Sequence, residues 1–126
     1  MKRVEVVSGD TAKSDNLAKH ATGADLLIHE VLVKPLLQFA GSNFEKAGNQ
    51  RRAKMSRDII TYHASPVEAA EVAAAAKAET LVFTHIVPPP NNPQIEQALT
   101  RGVGDVFKGK VVVGNDGMRF DLPPKN

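Results

Sequence analysis

Residues 62–85 read YHASPVEAAEVAAAAKAETLVFTH, a helix that feeds directly into a strand. Ser65-Pro66-Val67-Glu68 is a helix start, with Ser65 as N-cap, Pro66 at the first helical position and Glu68 completing a capping box. The helix is expected to continue through EAAEVAAAAKAE to about residue 78. Its alanines supply propensity, and their small side chains permit close packing on a sheet. TLVFTH, residues 80–85, then reads as a buried strand ending in a histidine.

The same alternation extends in both directions. Upstream, residues 4–7 form an apolar strand, Gly9 lets the chain turn, and Asp10 stands at the strand tip. A helix over about 14–21 follows, then a second apolar strand, DLLIH, at 25–29 with Glu30 directly after it. Residues 32–40 suit a short apolar helix or turn that tolerates Pro35 only in its first turn. Residues 41–58 are a polar basic loop or helix carrying Lys46, Arg51, Arg52, Lys54 and Arg57, in a place where many enzymes carry a substrate lid. Residues 59–61 are expected to be extended and to end at Tyr62-His63. Downstream, three prolines at 88–90 precede a helix over about 93–100. Residues 111–113, a turn at Asn115-Asp116-Gly117 and residues 118–120 read as a closing β-hairpin. Short apolar strands alternating with helices make residues 1–126 one α/β domain without internal repeats.

The composition, 42% hydrophobic and 24% charged, is that of a folded globular chain. Sixteen Lys plus Arg against 14 Asp plus Glu leave a net charge of +2, too small to imply nucleic-acid binding by itself. There is no cysteine, which excludes disulfides, thiolate metal sites and cysteine nucleophiles. No apolar run has membrane-spanning length, and the N-terminal residues lack the apolar core of a secretion signal. A soluble cytoplasmic protein with no membrane partner is the expectation.

Four polar residues recur at the ends of apolar segments: Asp10, Glu30, His63 and His85. If those segments share one sheet, their tips converge on one edge, the place where α/β sheets hold ligands. Aspartate and histidine are oxygen and nitrogen donors suited to zinc, manganese or iron. A strand-end histidine can equally be a hydrogen-bonded structural residue, the reading favoured for His29, and a solvent-exposed helical position suffices for His20. Asp10 and His85 supply two metal ligands, whereas a catalytic zinc needs three protein ligands and a structural one four. Metal binding by this chain alone is therefore expected to be weak or absent.

The series SGDT at 8–11, ADLLIHE at 24–30, residues 62–85 and VVVGNDGMRFDLP at 111–123 resembles the C-terminal half of a metallo-β-lactamase-fold hydrolase. The branch is that of tRNA 3′-processing endonucleases, cyclic phosphodiesterases and arylsulfatase-like enzymes. The resemblance covers essentially the whole chain. It implies half of an αββα sandwich, one mixed sheet with flanking helices. It implies that Asp10 bridges two zinc or manganese ions in the complete enzyme and that His85 is a terminal metal ligand. It implies that His63 contacts the scissile phosphate and helps protonate the leaving oxygen, with Glu30 orienting it. The first half of such enzymes carries an HxHxDH segment and a further histidine; here the only histidines are 20, 29, 63 and 85.

Three explanations follow: a C-terminal fragment, one chain of a split enzyme, or a degenerate domain. The main functional reading is a metal-dependent phosphodiesterase or related ester hydrolase present as an incomplete, inactive half. The alternative is a non-catalytic domain that dimerises through its uncovered sheet. The expected partners are a second copy or a missing N-terminal half, with a small phosphodiester or ester as substrate and RNA left open. A nucleic-acid-binding module using Arg51, Arg52, Lys54 and Arg57 is a third reading, weakened by the scarcity of aromatic residues for base stacking. Tyr62 and Met118 could line a cleft, though core packing accounts for both equally well.

Overall fold

The computed structural model describes residues 2–125. Its sheet has four strands in sequence order, β1 (Glu5–Val7), β2 (Leu26–Leu32), β3 (Thr80–Val87) and β4 (Lys110–Val113), all paired in parallel. Parallel neighbours require crossovers, and helices supply them. They are α1 (Asp15–His20), α2 (Lys34–Lys46), α3 (Gln50–Ile60), α4 (Pro66–Ala76), α5 (Pro93–Thr100) and α6 (Val103–Val106). The architecture is the expected one, α/β with one sheet and flanking helices. The antiparallel component of the expected mixed sheet is not formed among the described residues, because the hairpin that would provide it does not close.

The register explains which face is covered. Val6 pairs with Leu27, Leu27 with Leu81 and Leu81 with Val111, so one transverse row of apolar side chains lies on one face. Side chains alternate along a strand, so Val31 and Phe83 point the same way. These residues share a core with Ala69, Ala70, Val72, Ala73 and Ala76 of α4, and with Leu99, Val103 and Phe107. Alanine is what lets α4 lie close on two central strands. The expected start is made as read: Ser65 accepts from the Glu68 N–H, and the Glu68 carboxylate accepts from the Ser65 N–H. The helix ends at Ala76, two residues short of the expectation, where Lys77 turns left-handed at φ 54°.

On the opposite face Leu26 and Val82 are buried, whereas Val7 at its edge is exposed. Residues 114–125 leave the end of β4 and return to the start of β1 and β2. There the Arg3 Nε–H donates to the Pro123 carbonyl at 2.6 Å, and Lys125 Nζ lies 2.6 Å from Asp25 Oδ1. Asp25 is buried and also accepts from the Val4 N–H and from Arg3. Lys125 first, then the Val4 N–H and Arg3, hold its carboxyl well below the usual carboxylate range, against the opposing effect of burial. The expected turn at 115–117 is present, with the Met118 N–H bonded to the Asn115 carbonyl at 3.0 Å, but residues 118–120 pass into this strap and form no strand. Val4, Val7 and Met118 remain exposed.

Residues 34–60 form a helical hairpin. The apolar helix expected over 32–40 runs on to Lys46, with Pro35 in its first turn, and residues 50–60 make a second helix. Residues 59–61, expected to be extended, are instead the end of α3 and its cap. The two helices meet where Gly41 faces Ser56 and Ala53; a Cβ on Gly41 would sit 3.3 Å from the Ser56 Cβ. At this crossing the facing residues are small, while Arg52 over the Phe44 ring and Arg57 beside Glu45 bridge the helices further along.

Candidate catalytic site

The strand ends and the loop between α3 and α4 bring all four candidate residues together. Glu30 lies inside β2, two residues before its end, where the register against β3 slips: Glu30 pairs with Thr84, and Val31 with Ile86. The residue left over on β3 is His85. A bulge of this kind turns one side chain away from the ladder, and His85 has φ 44° and a side chain 57% exposed. Its Nδ1 lies 3.3 Å from Asp10 Oδ1, in the loop that follows β1.

Glu30 is the buried centre of this edge. Its Oε1 accepts from the Thr11 N–H at 2.9 Å, from His63 Nδ1–H at 2.9 Å and from the Ala64 N–H at 3.4 Å. Its own N–H donates to Ser8 Oγ at 3.0 Å. One carboxylate oxygen thus ties the Asp10 loop to the His63 loop, while Oε2 is buried without a hydrogen-bond partner among the described residues. The carboxylate selects the His63 tautomer that carries hydrogen on Nδ1, so Nε2 is the ring atom left to exchange a proton with anything entering the edge. The His63 and His85 rings stand 6.4 Å apart, and Tyr62 stacks obliquely on His63 at 5.2 Å. A cavity of about 360 Å³ opens beside them, bordered by Thr84, His85, Pro89, Asn115 and Asp116.

His29 is apart from this group. It is fully buried, its Nδ1–H donates to the Glu30 carbonyl at 2.7 Å, and its Nε2 has no partner among the described residues. Burial pushes its pKa down and keeps it neutral. His20 lies exposed in the last turn of α1, where a cation is favoured by the helix dipole. Ser8 and Thr11, which clamp Glu30, were not singled out by the sequence reading. Their signal was a run of small polar residues directly after β1. Asn115 and Asp116 were read only as turn residues.

The donor set does not fit a metal ion on its own. Asp10 and His85 are two exposed candidate donors, and among the described residues no group of three or more histidine, cysteine, aspartate or glutamate side chains is placed to hold a metal. Three protein ligands are the minimum for a catalytic zinc. Among the described residues no helix is long and apolar enough to cross a membrane.

A parallel sheet with helices on one face and polar residues gathered at its strand tips is the architecture of one half of a metallo-β-lactamase fold. The chain matches the metallo-beta-lactamase fold protein YhfI from Bacillus subtilis with a TM-score of 0.60 and 22% sequence identity, over 90% of this chain and 38% of that one. In sequence it is 36% identical over 120 residues to the putative ribonuclease Z of Mycobacterium tuberculosis (strain CDC 1551 / Oshkosh), covering 95% of this chain and 48% of the relative. It is 37% identical over 117 residues to the ribonuclease Z of Mycobacterium marinum, covering 93% of this chain and 38% of that protein. No family model matches the chain. The chain therefore has the metallo-β-lactamase fold and is homologous to ribonuclease Z-like proteins, of whose length it spans less than half.

Proposed function

We propose that this chain, by itself, is a non-catalytic metallo-β-lactamase-like domain, residues 1–126, that associates through the sheet face its helices leave open. The observation that carries this reading is the short donor set at the strand tips: two ligands, Asp10 and His85, beside a complete His63–Glu30 pair. The exposed apolar residues Val4, Val7 and Met118 supply the contact surface. A second copy is the first candidate partner and a segment homologous to the rest of the ribonuclease Z relatives is the other. The chain is taken to work in the cytoplasm.

The His63–Glu30 hydrogen bond supports a second reading, a metal-dependent hydrolase completed by that other segment. In the assembled centre Asp10 and His85 would join further ligands around two zinc or manganese ions, which when bound supply Lewis acidity and a hydroxide nucleophile. His63, held by Glu30, would contact the phosphodiester or related ester and deliver a proton from Nε2 to the leaving oxygen. The relatives' names make RNA one substrate for that assembly.

Sedimentation and metal analysis separate the readings. The chain is expected to associate, to lose association on Val7→Glu, and to purify without stoichiometric zinc or manganese. A monomer with one or more tightly bound ions per chain, released by both Asp10→Ala and His85→Ala, would overturn the first reading. Phosphodiesterase activity that appears only when the missing segment is added, and disappears with His63→Ala, would establish the second.

A further inference from the structure

The starts of two long helices open on a cavity of about 340 Å³ lined by Val33, Leu36, Pro66, Val67 and Ala98, with Lys34 and Arg101 also on its wall. The volume lies at the low end of the roughly 300–1,000 Å³ range of small-molecule sites. Its hydrocarbon lining would reject a strongly hydrated ligand, while its charges favour an anion. α2 begins at Lys34 without a side-chain cap, so the positive end of its dipole faces this space, whereas the start of α4 at Pro66 is already capped by Ser65 and Glu68. Lys34 adds a charge that Glu68 offsets at 2.6 Å. Arg101 adds a second, and among the described residues it has no ion-pair partner.

We propose that this cavity binds a small amphipathic carboxylate, its hydrocarbon part held among Val33, Leu36, Val67 and Ala98 and its carboxylate paired with Arg101. Arg101 is exposed at the rim of the cavity, so a carboxylate there would gain an ion pair that a neutral alcohol lacks, and a compact polar anion would leave the apolar walls wet. The site uses none of the strand-tip residues and does not rest on the function proposed above.

The test is titration of the whole chain with octanoate, followed by calorimetry and by amide chemical shifts in ¹⁵N-labelled protein, with octanol as the neutral control. Saturable octanoate binding is expected, with shifts centred on Leu36, Val67 and Ala98 and about two- to fivefold weaker binding of octanol, the scale of an exposed ion pair. Arg101→Gln is expected to weaken octanoate about two- to fivefold and leave octanol unchanged. Ala98→Phe, shown folded by its melting curve, is expected to abolish both. Equal affinity for acid and alcohol, octanoate binding unaffected by Arg101→Gln, shifts elsewhere in the chain, or no binding would each overturn the proposal.

Discussion

The helix-covered face of the sheet and its strand-tip edge are built from the same strands and have opposite chemistry. On the face, Leu27, Val31, Leu81 and Phe83 find partners within the chain, in α4 and the segment around Val103 and Phe107. On the edge, Asp10, Glu30, His63 and His85 converge as two histidine–carboxylate pairs, but among the described residues they do not make up a metal shell. Folding needs a closed apolar layer, and residues of this chain distant in sequence close it. A metal centre needs three or four donors at one point, and donors can be lost without opening the core. Two histidines against one residue display the contrast: His29 hydrogen-bonds the Glu30 carbonyl from the buried interior, and His63 hydrogen-bonds the Glu30 carboxylate from the edge.

The largest effect should come from the face. Phe83 is fully buried in the central strand, and Phe83→Ala should destabilise the chain by about 3–5 kcal/mol through lost transfer energy and the cavity left behind. Urea unfolding at neutral pH measures it. A loss near zero would mean that α4 does not close the core of the chain in solution.

Glu30→Ala probes the edge. It strands the Thr11 N–H and His63 Nδ1–H, whose shared acceptor disappears, and should cost about 1–3 kcal/mol. The diagnostic readout is nitrogen NMR of the His63 ring, where preference for hydrogen on Nδ1 should vanish while the His29 signal stays put. If His63 keeps its tautomer, Glu30 does not set it.

The third effect depends on pH. His29 has a folded-state pKa below its unfolded value because burial disfavours the cation. As pH falls through about 6.5, the unfolded chain takes up a proton there and the folded chain does not. The unfolded state then binds more protons, so stability must fall with falling pH, by up to about 1.4 kcal/mol per pH unit for one full proton. His29→Leu should flatten the stability curve between pH 7 and 5. An unchanged slope would place its cause elsewhere.

The face was far more legible in the sequence than the connections. Ser65, Pro66 and Glu68 gave the start of α4 because capping chemistry is local, and the apolar runs at 25–29 and 80–85 gave the central strands because buried parallel strands are nearly continuous in hydrophobicity. That Asp10, Glu30 and His85 would meet followed from a shared sheet, but His63 reaches them from the loop between α3 and α4, its expected strand being the end of α3. The slip that ejects His85 did not follow from it, since it depends on the pairing of Glu30 with Thr84. The helical hairpin was obscured by its own packing: Gly41, Ala53 and Ser56 are its buried contacts, and small residues carry almost no hydrophobic period. Ile59 and Ile60 then looked like a strand. The expected final strand was lost to long-range charge, because Arg3 and Lys125 draw residues 118–125 toward Asp25.

The smallest effect tests how the hairpin is held. Its surface has two ion pairs, Lys54 with Asp58 one turn apart in α3, and Arg57 with Glu45 across the two helices at 3.8 Å. Both are exposed, so water and salt screen them and side-chain entropy opposes them. Lys54→Ala should therefore change stability by no more than about 0.5 kcal/mol, with the better helix propensity of alanine working against the lost pair. Gly41→Leu, which would force the helices apart at Ser56, should cost several times as much. If the ranking reverses in the same urea assay, charge and not the close approach of small residues holds α2 to α3, and the hairpin should then loosen as salt is added.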